Sequence, residues 1–471
     1  MTTLNKYSRE QTFEYVNDFR YDTAQKRIPL DKDNRDCMID MFYSINNVPT
    51  IINDPTNNTE VKFDVSLGGS DSVLDLDKSG IILGFNFYKH VTATPLVNLP
   101  LAATESCPWN TLAFFRSINI KASDSSEAIQ MYDDANLIAD ASEHAILMEY
   151  GYDTLNNMHD VFFTPTLETT LDTITALSAE SVLRSAAWCR GDINVQIHKF
   201  VPLALIFNSL DKQVFLKNLK KLIISMYFHP NNYYQMSSTT HATETIRTNI
   251  TKCQLMLVQS KCTGRQELQN VNSTMKGQTE NLAFLNRVAI KQTFTNVPIQ
   301  LSAMSNLNMV SFGFKAVDYF SATYVNPCQY IPRFISAGPN EGHGITNLSA
   351  TYGSITVPQN GFTLSTINNS ELVAIYQTYR QCCFKSGTSK DVSPGIPFDK
   401  YGKAYCIFYI PFYDTIFMKE SAENKRVQLN ITADTATYAR MANVRCTTVL
   451  HSIGSCQLFT DGSVSVLKST Y

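Results

Sequence analysis

Charged residues are scarce in this chain. Asp, Glu, Lys and Arg make up 17% of its 471 residues, against roughly 25% in an ordinary soluble domain. The 42 acidic residues nearly balance the 39 basic ones, so the net charge is −3. This balance, with a hydrophobic share of 44%, excludes a disordered solvating chain and a protein that condenses nucleic acid.

Long apolar runs are also missing. The longest compact block, residues 201–207, spans seven residues, whereas a membrane-spanning helix needs about 20. The polar start, Met1 to Lys6, is not followed by an apolar block of signal-peptide length. We therefore expect neither a transmembrane segment nor a secretory signal.

The cysteines show no metal-binding or disulfide pattern. Eleven cysteines are scattered from Cys37 to Cys456 without any Cys-x-x-Cys spacing. Cys382 and Cys383 form the only cluster, and a bridge between adjacent residues is strained. The sequence predicts free, mostly buried thiols, which suits a reducing compartment.

Motifs that carry enzyme chemistry are absent as well. The sequence contains no phosphate-binding Gly-x-x-x-x-Gly-Lys-Ser/Thr, no dinucleotide-binding Gly-x-Gly-x-x-Gly after a strand, no Gly-x-Ser-x-Gly and no His-Glu-x-x-His. His343 lies in a glycine-flanked loop that could host a base or a ligand, but a structural loop residue is the favoured interpretation. We predict no catalytic residue, no cofactor, no metal site and no enzyme activity.

Two charged clusters have structural interpretations. Within the acidic cluster at residues 71–77, Asp75 and Asp77 alternate with Leu74 and Leu76. This alternation predicts that the acidic residues form the solvated face of an edge strand. The basic residues 217–221 open an apolar strand with no aromatic residues between them. Lysines at such a strand block edge-to-edge pairing, so we predict no specific nucleic-acid site.

Residues that favour β-sheets and turns are abundant. The chain has 45 Thr, 23 Tyr and 27 Phe beside 37 Asn, which favours a mostly β protein. Apolar and polar residues alternate with period two, the pattern of half-buried strands in an antiparallel sandwich or barrel, at residues 80–89, 192–198 and 222–228.

The two halves of the chain have the same order of elements. A helical period at residues 135–152, with Ser142 and Glu143 on its polar side, resembles the one at residues 370–379. Strands are predicted at residues 346–357, 404–411, 426–433 and 447–459. The apolar-Pro-apolar triplets centred on Pro202 and Pro411 are 209 residues apart, and the Ser-Glu pairs that begin at residues 142 and 370 are 228 apart. We predict one β domain used twice, with a boundary near residues 236–245.

Several segments resemble those of a known family. Residues 73–87, 109–120 and 148–151, and in the second half residues 369–379, 398–405 and 427–431, are similar to elements of double jelly-roll major capsid proteins. These are the hexon-like subunits of tailless icosahedral double-stranded DNA viruses. Residues 201–207, followed by Lys220, Lys221 and Leu222, are nearest in pattern to the Maverick/Polinton, adintovirus and virophage-like branch. The resemblance covers about residues 60–465.

The resemblance implies an all-β fold. Two tandem eight-stranded jelly-roll barrels would carry short inserted helices and long loops, of which residues 153–192 and 262–296 would form an exposed tower. The implied division is an N-terminal arm at 1–58, a first jelly roll at 59–236, a second at 245–465 and a C-terminal tail at 466–471.

The implied function is that of a major capsid protein in the virion. It would self-assemble into pseudo-hexagonal homotrimers that tile an icosahedral shell, with penton and minor or cement proteins as further partners. It would be made in a reducing host compartment, the cytoplasm or the nucleus. The alternatives are a divergent minor capsid or receptor-binding double jelly-roll protein, and a carbohydrate-binding β-sandwich, which the aromatic and Asn content suggests.

Overall fold

The structure, a computed structural model, describes about half of the chain in many short ranges. The described residues are 37–44, 60–67, 72–76, 78–91, 97–99, 112, 115–123, 128–132, 138–151, 197–207, 213–215, 219–228, 244–262, 279–294, 298–305, 307–316, 345–364, 372–385, 394–401, 406–412, 425–433, 444–459 and 463–467. Residues 153–192 and His343, both named above, lie outside them.

The described part is mostly β-strand. The strands are β1 (Cys37–Ser44), β2 (Glu60–Ser66), β3 (Ser72–Asp75), β4 (Gly80–Val91), β5 (Val97–Leu99), β6 (Phe115–Lys121), β7 (Ala128–Tyr132), β8 (Ile197–Pro202), β9 (Gln213–Phe215), β10 (Lys221–Phe228), β11 (Glu244–Cys262), β12 (Thr279–Thr293), β13 (Ile299–Met304), β14 (Leu307–Ala316), β15 (Asn347–Tyr352), β16 (Ile355–Thr363), β17 (Ile407–Pro411), β18 (Lys425–Thr432), β19 (Val444–Phe459) and β20 (Val464–Leu467). The α-helices are α1 (Ile138–Glu149), α2 (Leu203–Phe207) and α3 (Leu372–Lys385), and Phe398–Lys400 is a 3₁₀ turn.

Both halves build the same pair of sheets. In the first half, sheet 1a has the order β1-β11-β4-β8 with β3, β5 and β9 alongside, and sheet 1b has the order β2-β10-β6-β7. In the second half, sheet 2a has the order β12-β19-β14-β17 with β20 alongside, and sheet 2b has the order β13-β18-β15-β16. When the eight main strands of each half are numbered along the chain, the orders are 1-8-3-6 and 2-7-4-5 in both. This arrangement is the eight-stranded jelly roll, present twice, so the predicted fold class is confirmed.

The inward rows of the first jelly roll follow the predicted alternation. On β10, Leu222, Ile224, Met226 and Phe228 are buried, whereas Ser225 is partly exposed. Strand β10 pairs with β2 on one side and β6 on the other. Because each fully buried aliphatic side chain contributes about 1.5 to 3 kcal/mol, this row is a major part of the core.

The internal repeat is also confirmed by the strand positions. Pro202 and Pro411 are the last residues of β8 and β17, which occupy the same place in their jelly rolls. Proline cannot donate a ladder hydrogen bond, so it is a natural end to a strand. The helices α1 and α3 precede these two strands in the same way.

The division between the halves differs from the predicted one. Strand β11, expected in the second jelly roll, pairs with β4 and β1 of the first. Strand β1 lies inside the predicted arm, and β12 lies inside the predicted tower loop. The described strands of the first jelly roll therefore lie within residues 37–262 and those of the second within residues 279–467. This pairing differs from the predicted boundaries at 58, 236 and 245, because strand partners distant in sequence leave no local signal.

Two expectations for charged residues are also wrong. Asp75 is buried. Its carboxylate is compensated there, since it accepts a hydrogen bond from the Lys78 backbone N–H (3.1 Å) and contacts the Lys78 ammonium (3.0 Å). Its strand β3 lies between β11 and β9 and is not an edge. Lys221 does not protect an edge strand, since β10 lies inside its sheet between β2 and β6. The Lys221 ammonium instead forms an ion pair with the Asp64 carboxylate of β2 at 2.9 Å.

Candidate functional site

The described part of the chain contains no side-chain cluster suited to a metal. No group of three or more His, Cys, Asp or Glu residues in those ranges is arranged to hold an ion. Among the same residues, no helix has the length and hydrophobicity needed to cross a membrane. The side chains that the structure does bring together form the contact between the two jelly rolls.

Six cysteines whose side chains the structure describes are buried free thiols. They are Cys253, Cys382, Cys383, Cys406, Cys446 and Cys456. Burial raises the pKa of Cys253, Cys383 and Cys446 to about 12. The thiolate is the reactive form, so these groups are inert in the folded protein, as predicted for them.

Thiol labelling checks this burial. Six of the eleven cysteines are buried, so a water-soluble disulfide reagent is expected to label at most five thiols in the native protein and all eleven in denaturant. Rapid labelling of more than five native thiols would contradict the described core.

Helix α1 connects the first jelly roll to the outer face of sheet 2a. Ala141 forms a buried cluster with Ala289 of β12 and Val449 of β19. At the start of the helix, the Asp140 carboxylate lies 2.7 Å from the Lys291 ammonium. The second jelly roll therefore covers a face of α1 that would otherwise meet water.

This contact corrects the expected polar face of the helix. The sequence predicts Ser142 and Glu143 on the polar side of the helix, but they are only 6% and 4% exposed. A helical period shows which positions differ from the local core; it does not show whether water or a second domain covers them.

A buried hydrogen-bond chain crosses the same contact. His144 Nδ1 of α1 lies 2.6 Å from Ser311 Oγ of β14, which lies 2.7 Å from His451 Nε2 of β19. All three side chains are fully buried. We call this contact, centred on His144, Ser311 and His451, the junction.

Burial keeps His451 neutral. Its pKa lies well below the ordinary value, first because of desolvation and then because of the positive charge of Arg287 and the neighbouring His144. His451 Nδ1 is buried without a hydrogen-bond partner, so a proton added there would have no acceptor. His451 is therefore a neutral ring in the junction.

Two tyrosines of the second jelly roll complete the contact with α1. The Tyr379 hydroxyl donates to the Leu147 carbonyl (2.5 Å) and accepts from the Ile396 N–H (2.9 Å), while the Tyr409 hydroxyl donates to the His144 carbonyl (2.9 Å). The Leu147 carbonyl lies in the last turn of α1, where carbonyls lack helical partners. The junction residues were not found from the sequence, because nothing in the local pattern around His144, Ser311 or His451 distinguishes them from other polar positions.

Sequence comparison does not connect the chain to a characterised protein. No protein-family model matches it, and no curated protein matches it either.

Comparison with solved structures identifies the fold. A chain of the Sputnik virophage, solved by cryo-EM, aligns over 93% of this chain and 89% of its own length, with a TM-score of 0.50 and 13% identity. The mavirus major capsid protein aligns over 92% of this chain and 90% of its own, with a TM-score of 0.47 and 10% identity. The Faustovirus major capsid protein aligns over 89% and 90%, with a TM-score of 0.47 and 8% identity. At 13% identity, the likeness to the virophage chain is one of fold, and that fold is the double jelly roll.

Proposed function

We propose that this chain is the major capsid protein of an icosahedral virus and acts without catalysis. The observation that carries the proposal is the joining of two jelly rolls of identical strand order through a buried junction. The virophage chain has the same fold over nearly its full length, which supports the proposal. A fold alone does not determine function, so the assembly has to be tested.

The functional unit is a homotrimer. Three chains with two jelly rolls each place six similar barrels in one ring, which gives a pseudo-hexagonal outline that can tile a flat facet. Cyclic symmetry makes each contact between chains heterologous, so the same two surfaces meet at every boundary. The site of action is the virion, and the further partners are penton and minor or cement proteins.

Light scattering tests the trimer. The purified chain, expressed in a reducing cytoplasm, is expected to elute as one species of about 159 kDa, three times 52.9 kDa. Class averages of this species by negative-stain microscopy should have a hexagonal outline. A monomer retained on immobilised glycans would contradict the capsomer and support the carbohydrate-binding alternative.

A further inference from the structure

The two equivalent helices have different surroundings. In α1, Asp140, Ala141, His144 and Met148 are all buried. In α3, a stripe of the same spacing is exposed at all four positions, Val373, Ala374, Gln377 and Gln381. Val373, at 47%, is among the most exposed large hydrophobic side chains of the described residues.

Both sets follow the pattern i, i+1, i+4 and i+8, so each forms one stripe along its helix. The two helices hold equivalent places, since each precedes the proline-terminated strand of its jelly roll. The α1 stripe faces sheet 2a, through Asp140 to Lys291, Ala141 to Val449 and His144 to Ser311. We call Val373, Ala374, Gln377 and Gln381 the α3 stripe. It is uncharged, which is typical of the centre of a protein interface.

The sheet surface that receives α1 also has a counterpart. In sheet 2a, Val449, Ser311 and Tyr409 are in register across β19, β14 and β17. In sheet 1a, Gln254, Ile82 and Phe200 are in register across β11, β4 and β8. Tyr409 and Phe200 each lie two residues before the terminal proline of equivalent strands, so the two rows correspond residue by residue.

Only one of these rows is covered within the chain. Val449, Ser311 and Tyr409 are fully buried, whereas Gln254, Ile82 and Phe200 are each partly exposed. We call Gln254, Ile82 and Phe200 the sheet 1a row. Among the residues that the structure describes, a single chain thus has one completed contact between jelly rolls, one helix stripe that no sheet covers and one sheet row that no helix covers.

We propose that the α3 stripe packs against the sheet 1a row of a second copy of this chain, reproducing between chains the contact that α1 makes within the chain. The occupant is a second copy because the stripe and the row continue a contact already formed by equivalent elements. The inference rests on the proposed function, since the two surfaces are heterologous and close only in a ring. By these correspondences, Ala374 would meet Gln254 and Gln377 would meet Ile82, so no charge is buried at these contacts.

Charge placed on the α3 stripe tests the contact. Val373→Asp changes an exposed helix residue, so the folded subunit should survive with an unchanged circular dichroism spectrum. Burying this carboxylate in the contact is expected to raise the protein concentration at half-dissociation of the trimer at least tenfold. The matched control is Ile355→Asp, because Ile355 is a 36% exposed hydrophobic residue away from the stripe; it should leave the trimer intact.

Cross-linking tests which surfaces meet. Ala141 and Val449 belong to one buried cluster, and their counterparts are Ala374 and Gln254. A variant with both Ala374→Cys and Gln254→Cys is expected to form covalent dimers and trimers on mild oxidation. Each single variant, which controls for the native thiols, and the pair Ile355→Cys with Gln254→Cys should remain single chains on a non-reducing gel.

The outcomes separate the inference from the proposed function. Covalent trimers from the Ala374 and Gln254 pair alone support both. A trimer of wild type that is unaffected by Val373→Asp and is not cross-linked by this pair would overturn the inference and leave the capsomer standing. A wild-type monomer would overturn both.

Discussion

Leu222→Lys is expected to abolish soluble folded protein. Leu222 is fully buried in β10, an inner strand of sheet 1b, beside Ile224 and Met226 on the same face. Removing a buried leucine costs about 2 to 5 kcal/mol, and an unpaired buried ammonium costs several kcal/mol more. The sum is comparable with the roughly 5 to 15 kcal/mol that holds a domain folded.

Expression yield and size exclusion measure this effect. The control is Ser225→Lys on the same strand, because Ser225 is partly exposed on the opposite face. Its register partner is the exposed Lys62, and like charges at such a position cost only about 0.5 kcal/mol. Equal yields of folded protein from the two variants would mean that the inward face of β10 is assigned backwards.

Acid is expected to destabilise the contact between the two jelly rolls. A hydroxyl has one hydrogen, so the two bonds through Ser311 require one histidine to donate and the other to accept. Protonating the accepting ring makes both rings donors and leaves the hydroxyl hydrogen without an acceptor. At His451 the added charge would also face Arg287, and both Arg287 and Glu143 of α1 lie close to Tyr409 of β17.

The sign of the pH dependence follows from the depressed pKa of His451. The folded protein keeps His451 neutral, whereas the unfolded chain binds a proton below its ordinary pKa of 6.5. The stabilisation is therefore complete above about pH 6.5 and is lost as the pH falls toward the folded pKa, by about 1.4 kcal/mol per pH unit for one proton.

Denaturant unfolding at several pH values measures this loss. His451→Phe retains an aromatic ring and removes the titration, so the dependence on pH between 6.5 and 5 should be shallower in this variant than in wild type. The difference in pH dependence between wild type and His451→Phe gives the contribution of His451 separately from that of the other seven histidines. Parallel curves would show that His451 is already protonated in the folded protein or is exposed to water.

Local patterns predicted the parts of the fold that depend on nearby residues. The alternation of Leu222 with Ser225 correctly identified the faces of β10, and the prolines at 202 and 411 correctly marked equivalent strand ends. These features follow from strand geometry and from the missing amide hydrogen of proline. They led to the duplicated domain without any knowledge of which strands pair.

Pairing between distant strands could not be predicted in this way. Strand β11 is equally compatible with either jelly roll by its own sequence, and only its ladders with β1 and β4 assign it to the first. The contacts of the junction could not be predicted from the local sequence either. Ser142 and Glu143 have the polarity of a solvent face, yet both are buried on a helix that packs against the second jelly roll.

A cryo-EM reconstruction of the purified protein tests whether three copies of this chain form one ring of six jelly rolls. We expect a map of three chains, in which helix α3 of each chain packs on sheet 1a of the next as α1 packs on sheet 2a within the chain. A map of a monomer, or of an assembly in which the two jelly rolls of one chain do not share the junction, would contradict it.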